Sequence, residues 1–264
     1  MKNKINLIII GIGAFLSSCQ KVINIDLKSK DPVVMIEAIV TDDPTVPQTV
    51  KITKTVNFSE SNVFPEVSGA NVSISDNAGN NVTLSETSSG VYQTTSLAGI
   101  PGRTYYLTIN AEGKTYTSVS TMPVKVNLDT VLVTQGGGPG PSDSKMVAAV
   151  YTDPTGKGNY YRFKLKKNSK ESTSISLADD QIMDGGVNNN SFFDQSLEFK
   201  TGDTAVVTMM CIDKPVHLYF YSLNQNGNGP DASATPANPV TNIQGATLGY
   251  FSAQTTQTKK TIIP

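Results

Sequence analysis

Apolar and polar residues alternate in short runs along most of this chain, and turn residues separate the runs. Val33-Val34-Met35-Ile36-Glu37-Ala38-Ile39-Val40 reads as a largely buried strand closed by Asp42-Asp43-Pro44. Gln48 to Thr55 alternates, with Val50 and Ile52 on one face, and Ala70 to Ser75 alternates more cleanly, with Ala70, Val72 and Ile74 together. Asp76-Asn77-Ala78-Gly79-Asn80 supplies a turn into Val82 and Leu84. Tyr92 heads a short strand, and Thr104–Ile109 follows Gly102. Glu112-Gly113 turns it into Lys114–Thr121, and Pro123 closes the set. About seven short strands at this spacing predict an immunoglobulin-like β-sandwich over residues 33–123.

The same pattern continues from residue 124. Strands are expected at Val126–Thr134, Met146–Tyr151, Tyr160–Lys166, Phe192–Phe199, Thr204–Ile212 and Leu248–Ile263. In Tyr160–Leu165 the residues Tyr161, Phe163 and Leu165 share one face, and Arg162 and Lys164 the other. One helix is expected: Asp213 can cap it, Pro215 sits in the first turn, and Val216, Tyr219, Phe220 and Leu223 follow at helical spacing. Loops are expected at 135–144, 178–191 and 224–239, where ligand or partner contacts would concentrate. The expected fold is all-β and mainly antiparallel. A sandwich over 33–123 is followed by a second β-rich domain, 124–264, with one short helix.

The N-terminus breaks this pattern. Lys2 and Lys4 precede an apolar run, Ile5 to Leu16, which two small residues connect to Cys19. That order reads as an export signal over 1–18, and the run is shorter than the about 20 residues a spanning helix needs. Residues 19–32 then form a tether, whose Val22, Ile23, Ile25 and Leu27 could dock on the body. Net charge at neutral pH is −1, and removing the two signal lysines takes it to −3. No basic field exists to attract nucleic acid. Cys211 lies in Val206–Ile212 and reads as a small buried residue on a strand. A disulfide to Cys19 is the rival, which acylation of Cys19 would exclude.

Candidate chemistry is sparse. His217 is the sole histidine, so a nucleophile–histidine arrangement has weak support and a histidine-rich zinc site has none. Asp179, Asp180 and Asp184 cluster hard oxygen ligands of the kind calcium takes, without matching the twelve-residue calcium loop. Gly136–Gly140 lacks the lysine of a phosphate loop. No enzyme activity and no cofactor are expected.

Several stretches resemble known patterns. Leu16-Ser17-Ser18-Cys19 resembles the lipobox of bacterial lipoproteins, in which the cysteine is acylated and becomes the mature N-terminus. Gln20 at the next position resembles lipoproteins released to the outer membrane. The acidic cluster resembling a cell-surface export signal is missing before Asp26, so the membrane face stays open, with the outer surface favoured. Ser68 to Thr121 looks like prealbumin-like modules of carboxypeptidases and outer-membrane receptors. Asp129-Thr130-Val131 and Asp203-Thr204-Ala205 resemble a short O-glycosylation signal, with Thr130 and Thr204 as acceptors; ordinary strand-edge threonines are the equal alternative.

A family resemblance spans about residues 19–255. It rests on Pro32–Ala38, Ser68–Val72, Gly90-Val91-Tyr92, Gly113–Tyr116, Asp153-Pro154, Asn159–Phe163, Pro236–Ile243 and Gly249–Ala253. In this order they look like the Bacteroidota lipoproteins grouped as domain-of-unknown-function family 4249. The resemblance implies anchorage in the outer membrane through lipid and an accessory or binding role beside a TonB-dependent transporter in nutrient capture. A structural or adhesive surface lipoprotein without a small-molecule ligand is the alternative, and a hydrolase with an unrecognised site the minor one.

Overall fold

The computed structural model describes residues 31–57, 60–135, 145–181, 184–194, 196–227, 237–246 and 248–264. The expected signal segment 1–18, Cys19, residues 20–30 and most of the expected 135–144 and 224–239 loops lie outside the described residues. Among those described, no helix is long and apolar enough to cross a membrane.

The alternating runs before Pro123 become eight strands. These are β1 (Val34–Thr41), β2 (Gln48–Lys54), β3 (Asn71–Asp76), β4 (Asn81–Thr83), β5 (Ser85–Ser88), β6 (Val91–Thr94), β7 (Thr104–Ala111) and β8 (Lys114–Thr121). In one layer β1, β2, β6 and β5 lie side by side; in the facing layer β8, β7, β3 and β4 do. Period-two patterning sends Ile36, Ala38, Val40, Val50 and Ile52 inward, where they join Val72, Ile74, Leu107 and Ile109 in one core. Asp76 staples the predicted turn. It accepts from the backbone N–H groups of Ala78 and Asn80, both at 3.0 Å, and from Arg103 at 2.9 Å.

The second half adds β9 (Leu128–Gln135), β10 (Lys145–Thr152), β11 (Tyr160–Lys167), β12 (Lys170–Glu171), β13 (Ser176–Asp179), β14 (Val187–Phe192), β15 (Thr204–Ile212), α1 (Lys214–Gly227), β16 (Ile243–Gln244) and β17 (Leu248–Ile262). The protein is therefore all-β and mainly antiparallel, with one short helix. A small sheet in the order β14-β10-β9 faces β11 and β15 across a second core. Tyr151, Tyr161, Phe163, Val207, Met209 and Cys211 fill that core. The opposite face of the large sheet carries α1. Val216, Tyr219 and Phe220 pack there on Met210, Ile212 and Tyr250, and the Arg162 guanidinium lies 3.7 Å from the centre of the Phe220 ring. Asp213 caps the helix as expected, accepting from the Val216 N–H at 3.1 Å. It also receives the Ser120 hydroxyl at 2.7 Å, tying the helix start to β8.

One strand joins everything. The first half of β17, Leu248–Gln254, pairs parallel with Met35–Thr41 of β1. Its second half, Thr255–Ile262, pairs antiparallel with β15. The large sheet thus runs β12-β11-β15-β17-β1-β2-β6-β5, with β13 also on β11. Ile243, Phe251 and Ala253 lie in the N-terminal core, so the last strand crosses the division expected at residues 123 and 124. A parallel neighbour needs a long crossover connection, which local periodicity does not reveal.

The strand expected at Phe192–Phe199 is displaced. It runs from Val187 to Phe192 and pairs with β10, and Phe199 makes only an isolated bridge to Lys145. Leu197 and Phe199 still reach the second core, but from a turn closed by the Leu197 N–H on the Asp194 carbonyl at 3.0 Å. Buried apolar residues alone therefore misplace the strand. The expected 178–191 loop likewise contains the end of β13 and most of β14.

Asp203, before β15, gives the body an acid-sensitive contact. The Lys167 ammonium, the Lys200 N–H and the Asn168 amide hold its carboxyl down at about 2, from an ordinary value of 3.8. A depressed carboxylate stabilises the fold fully above its unfolded value and loses that contribution as pH falls through the folded one. Denaturant midpoints measured from pH 5 to pH 2 should fall. Asp203→Asn should flatten the steepest part of that decline; an unchanged profile in the variant would assign the acid sensitivity elsewhere.

Candidate functional site

A cleft of 390 Å³ opens beside the outer edge of β11. Its origin is a gap in strand pairing. β13 pairs with Tyr160–Phe163, and β12 with Lys166 and Lys167. Between them Ser172–Ile175 leaves the edge, tethered by the Ser172 N–H on the Leu165 carbonyl at 2.8 Å. Phe163, Leu165 and Phe192 form apolar lining, as do Ile175 and Leu177. Ser172, Ser174, Ser176, Asn190, Ser191 and Asp194 supply the polar groups, and Tyr221 and Asn224 reach the cleft from the helix.

Asp194 organises the serine wall. It accepts from the Ser172 hydroxyl and from the Ser196 N–H at 2.8 Å, and Ser174 also donates to it. Burial pushes its carboxyl up, but these donors outweigh burial and hold it below the usual range. Asn190 donates its amide to Ser176 at 3.1 Å, which leaves its carbonyl oxygen as an acceptor. Among the described residues, no lysine or arginine lines the cleft.

The helix side is aromatic. Tyr221 stacks on His217, with ring centres 6.3 Å apart and planes within 20°, and His217 packs on Tyr160 at 4.9 Å. These residues meet because 217 and 221 are one turn apart on α1, over the first residue of β11. Burial lowers the imidazole below 6.5, opposed by the charge of Asp179. His217 is therefore one layer of an aromatic stack.

The aspartate cluster does not converge. Asp180 is 2% exposed and accepts from the N–H groups of Gly158 and Asn159 at 2.6 and 2.8 Å. Asp184 accepts from the Gly156 N–H at 2.7 Å, and Asp179 caps Gln181 at 3.2 Å. Two of the three calcium candidates thus serve the 153–159 turn as backbone acceptors. Among the described residues, no group of three or more His, Cys, Asp or Glu could hold a metal ion. Thr130 is exposed on β9, whereas Thr204 is half-buried at the start of β15. The Cys211 thiol lies in the second core against the Val126 N–H at 3.4 Å, and burial raises it. Cys19 lies outside the described residues.

Sequence reasoning did not single out Asp194 or the 172–176 serines. A serine-rich stretch between strands reads as an ordinary loop, and only the strand pairing shows that it leaves an edge open.

No curated protein matches the chain. One family model matches residues 20–260, described as a domain of unknown function, DUF4249. The match covers both sandwiches and the joining strand, so the chain belongs to family DUF4249.

Proposed function

We propose that the chain is a lipid-anchored binding protein of the outer membrane, working beside a TonB-dependent transporter in nutrient capture. The observation that carries this reading is Leu16-Ser17-Ser18-Cys19 directly behind a short apolar run. Acylation at Cys19 would hold the protein at the membrane, each buried CH₂ contributing about 0.8 kcal/mol. The eleven residues from 20 to 30 would let the body stand off by at most ~40 Å when extended. A cleft that gathers serine, asparagine and tyrosine side chains, with no histidine, lysine or arginine among its described lining residues, favours binding over catalysis.

Two measurements test this. Cys19→Ala should move the chain from the membrane pellet to the soluble envelope fraction and remove the acyl mass from the mature N-terminus; a variant still in the pellet sinks the anchor. Purification of the parent in mild detergent should bring down an outer-membrane barrel. A clean monomer under every detergent would instead favour the structural or adhesive alternative.

A further inference from the structure

We propose that the cleft between the Ser172–Ser176 segment, β14 and α1 binds a neutral carbohydrate, with one sugar ring lying against Tyr221. This deepens the capture reading by naming a ligand class. The chemistry of the cleft supports it without the anchor or the transporter.

Three observations select the class. First, the cleft is uncharged towards its ligand. Among the described residues no lysine or arginine lines it, and the one lining carboxylate, Asp194, already accepts from Ser172, Ser174 and Ser196. Phosphates and carboxylates would find no cation there, which disfavours nucleotides, acidic sugars and anionic lipids. The nearby described ammonium groups are already engaged: Lys167 on Asp203, Lys164 and Lys166 on Glu171, and Lys170 on the Ser196 carbonyl at 2.8 Å.

Second, apolar and hydrogen-bonding surfaces are interleaved. Tyr221 and Phe193 are 50% and 72% exposed beside the exposed Ser191 and the carbonyl oxygen of Asn190. A wholly apolar ligand would bury these polar atoms without partners, at a cost of about 1–3 kcal/mol each. A pyranose has the matching duality, a face of C–H bonds and a rim of hydroxyls that both donate and accept.

Third, the tyrosine is held in place. Tyr221 stacks on His217, which packs on Tyr160, so its ring is braced before any ligand arrives. A braced aromatic ring loses little freedom on binding. The volume, 390 Å³, falls inside the ~300–1,000 Å³ range of small-molecule sites.

The full chain in detergent should be applied to an array of neutral and acidic glycans, and the best binder titrated by calorimetry. At least one neutral glycan should bind. Tyr221→Ala and Asn190→Ala should each weaken it about tenfold or more, and Tyr221→Phe by less than about threefold, because the stacking face remains. Tyr106→Ala, which removes an exposed tyrosine from the other sandwich, should bind like the parent. Melting curves identify any variant that fails to fold, and Tyr221→Ser with Ser191→Ala repeats the test. An array without neutral binders overturns the proposal, as does affinity untouched by the cleft substitutions or tighter binding of acidic glycans. Glycan binding without a co-purifying barrel would keep this inference and remove the transporter from the function proposed above.

Discussion

Gly249→Ala should leave no cooperatively folded protein. A Cβ at this position would stand 1.9 Å from the Ile36 carbonyl oxygen and 2.6 Å from the Ile36 nitrogen. Both are backbone atoms of β1, so relief requires β17 and β1 to separate. The residue also has φ +104°, where an L side chain adds about 1–3 kcal/mol of strain before any clash. Separating the pair would remove Phe251 and Ala253 from the first core and break the sheet that continues into the second. A domain holds only about 5–15 kcal/mol in total, so this loss should exceed what the fold can bear. Far-UV circular dichroism with thermal melting reads the result directly. Gly79→Ala is the control: φ there is +89°, but nothing lies within 4 Å. It should cost only the backbone strain, about 1–3 kcal/mol. A Gly249→Ala chain melting like Gly79→Ala would show that the sheet tolerates an opening at this point.

Tyr161→Phe should cost about 3 kcal/mol, which corresponds to about 6–12 °C in melting temperature at this size. Asp153 is 1% exposed, and its carboxylate accepts from the Tyr161 hydroxyl and from the Gly185 N–H at 3.2 Å. Losing the hydroxyl leaves a buried carboxylate with one long hydrogen bond. Burial, and then the hydrogen bond to Asp153, push the Tyr161 hydroxyl far above its ordinary value, so it stays a donor at any working pH. Asp153→Asn in the Tyr161→Phe background should recover part of the loss, because the charge is then gone. A double-mutant cycle that is additive within about 0.5 kcal/mol would deny the coupling. The effect should also loosen the 184–186 turn, whose Gly186 carbonyl accepts from the Asp153 N–H at 2.9 Å.

Both residues sit in stretches that carry the family resemblance, and the structure gives those stretches architectural roles. In Asn159–Phe163, Tyr161 holds Asp153, Arg162 lies over Phe220, and Phe163 fills the second core. In the later stretch, Asn242 clasps both backbone groups of Phe251 at 2.7 and 2.9 Å, and Thr241 donates to the Gly249 carbonyl at 2.7 Å. These contacts shape the turn that delivers β17 to β1. Such residues identify a family strongly and a ligand hardly at all.

Periodicity made the strands and the helix legible, because a half-buried strand must alternate and Asp213 with Pro215 must start a helix. Long-range pairing was not legible. Met35 and Leu248 are partners across most of the chain, and neither run announces the other. The cleft was hidden for a related reason: it is made by a pairing that β11 lacks, so Ser172–Ser176 look like any polar connection. Asp180 and Asp184 misled in the opposite direction. Carboxylates close in sequence suggested a metal, but their backbone partners lie more than twenty residues away.

The place of β17 also sets an order of events in time. A ribosome delivers β1 early and its parallel neighbour only after β15 and α1 have left the tunnel. Until then β1 has one open edge and the first core lacks Phe251 and Ala253. Contacts this distant along the chain form slowly, since the loop between them must close first. The nascent polypeptide therefore cannot complete either sandwich during synthesis. The stroke that finishes the large sheet therefore falls after synthesis, when the C-terminal strand is free to reach β1.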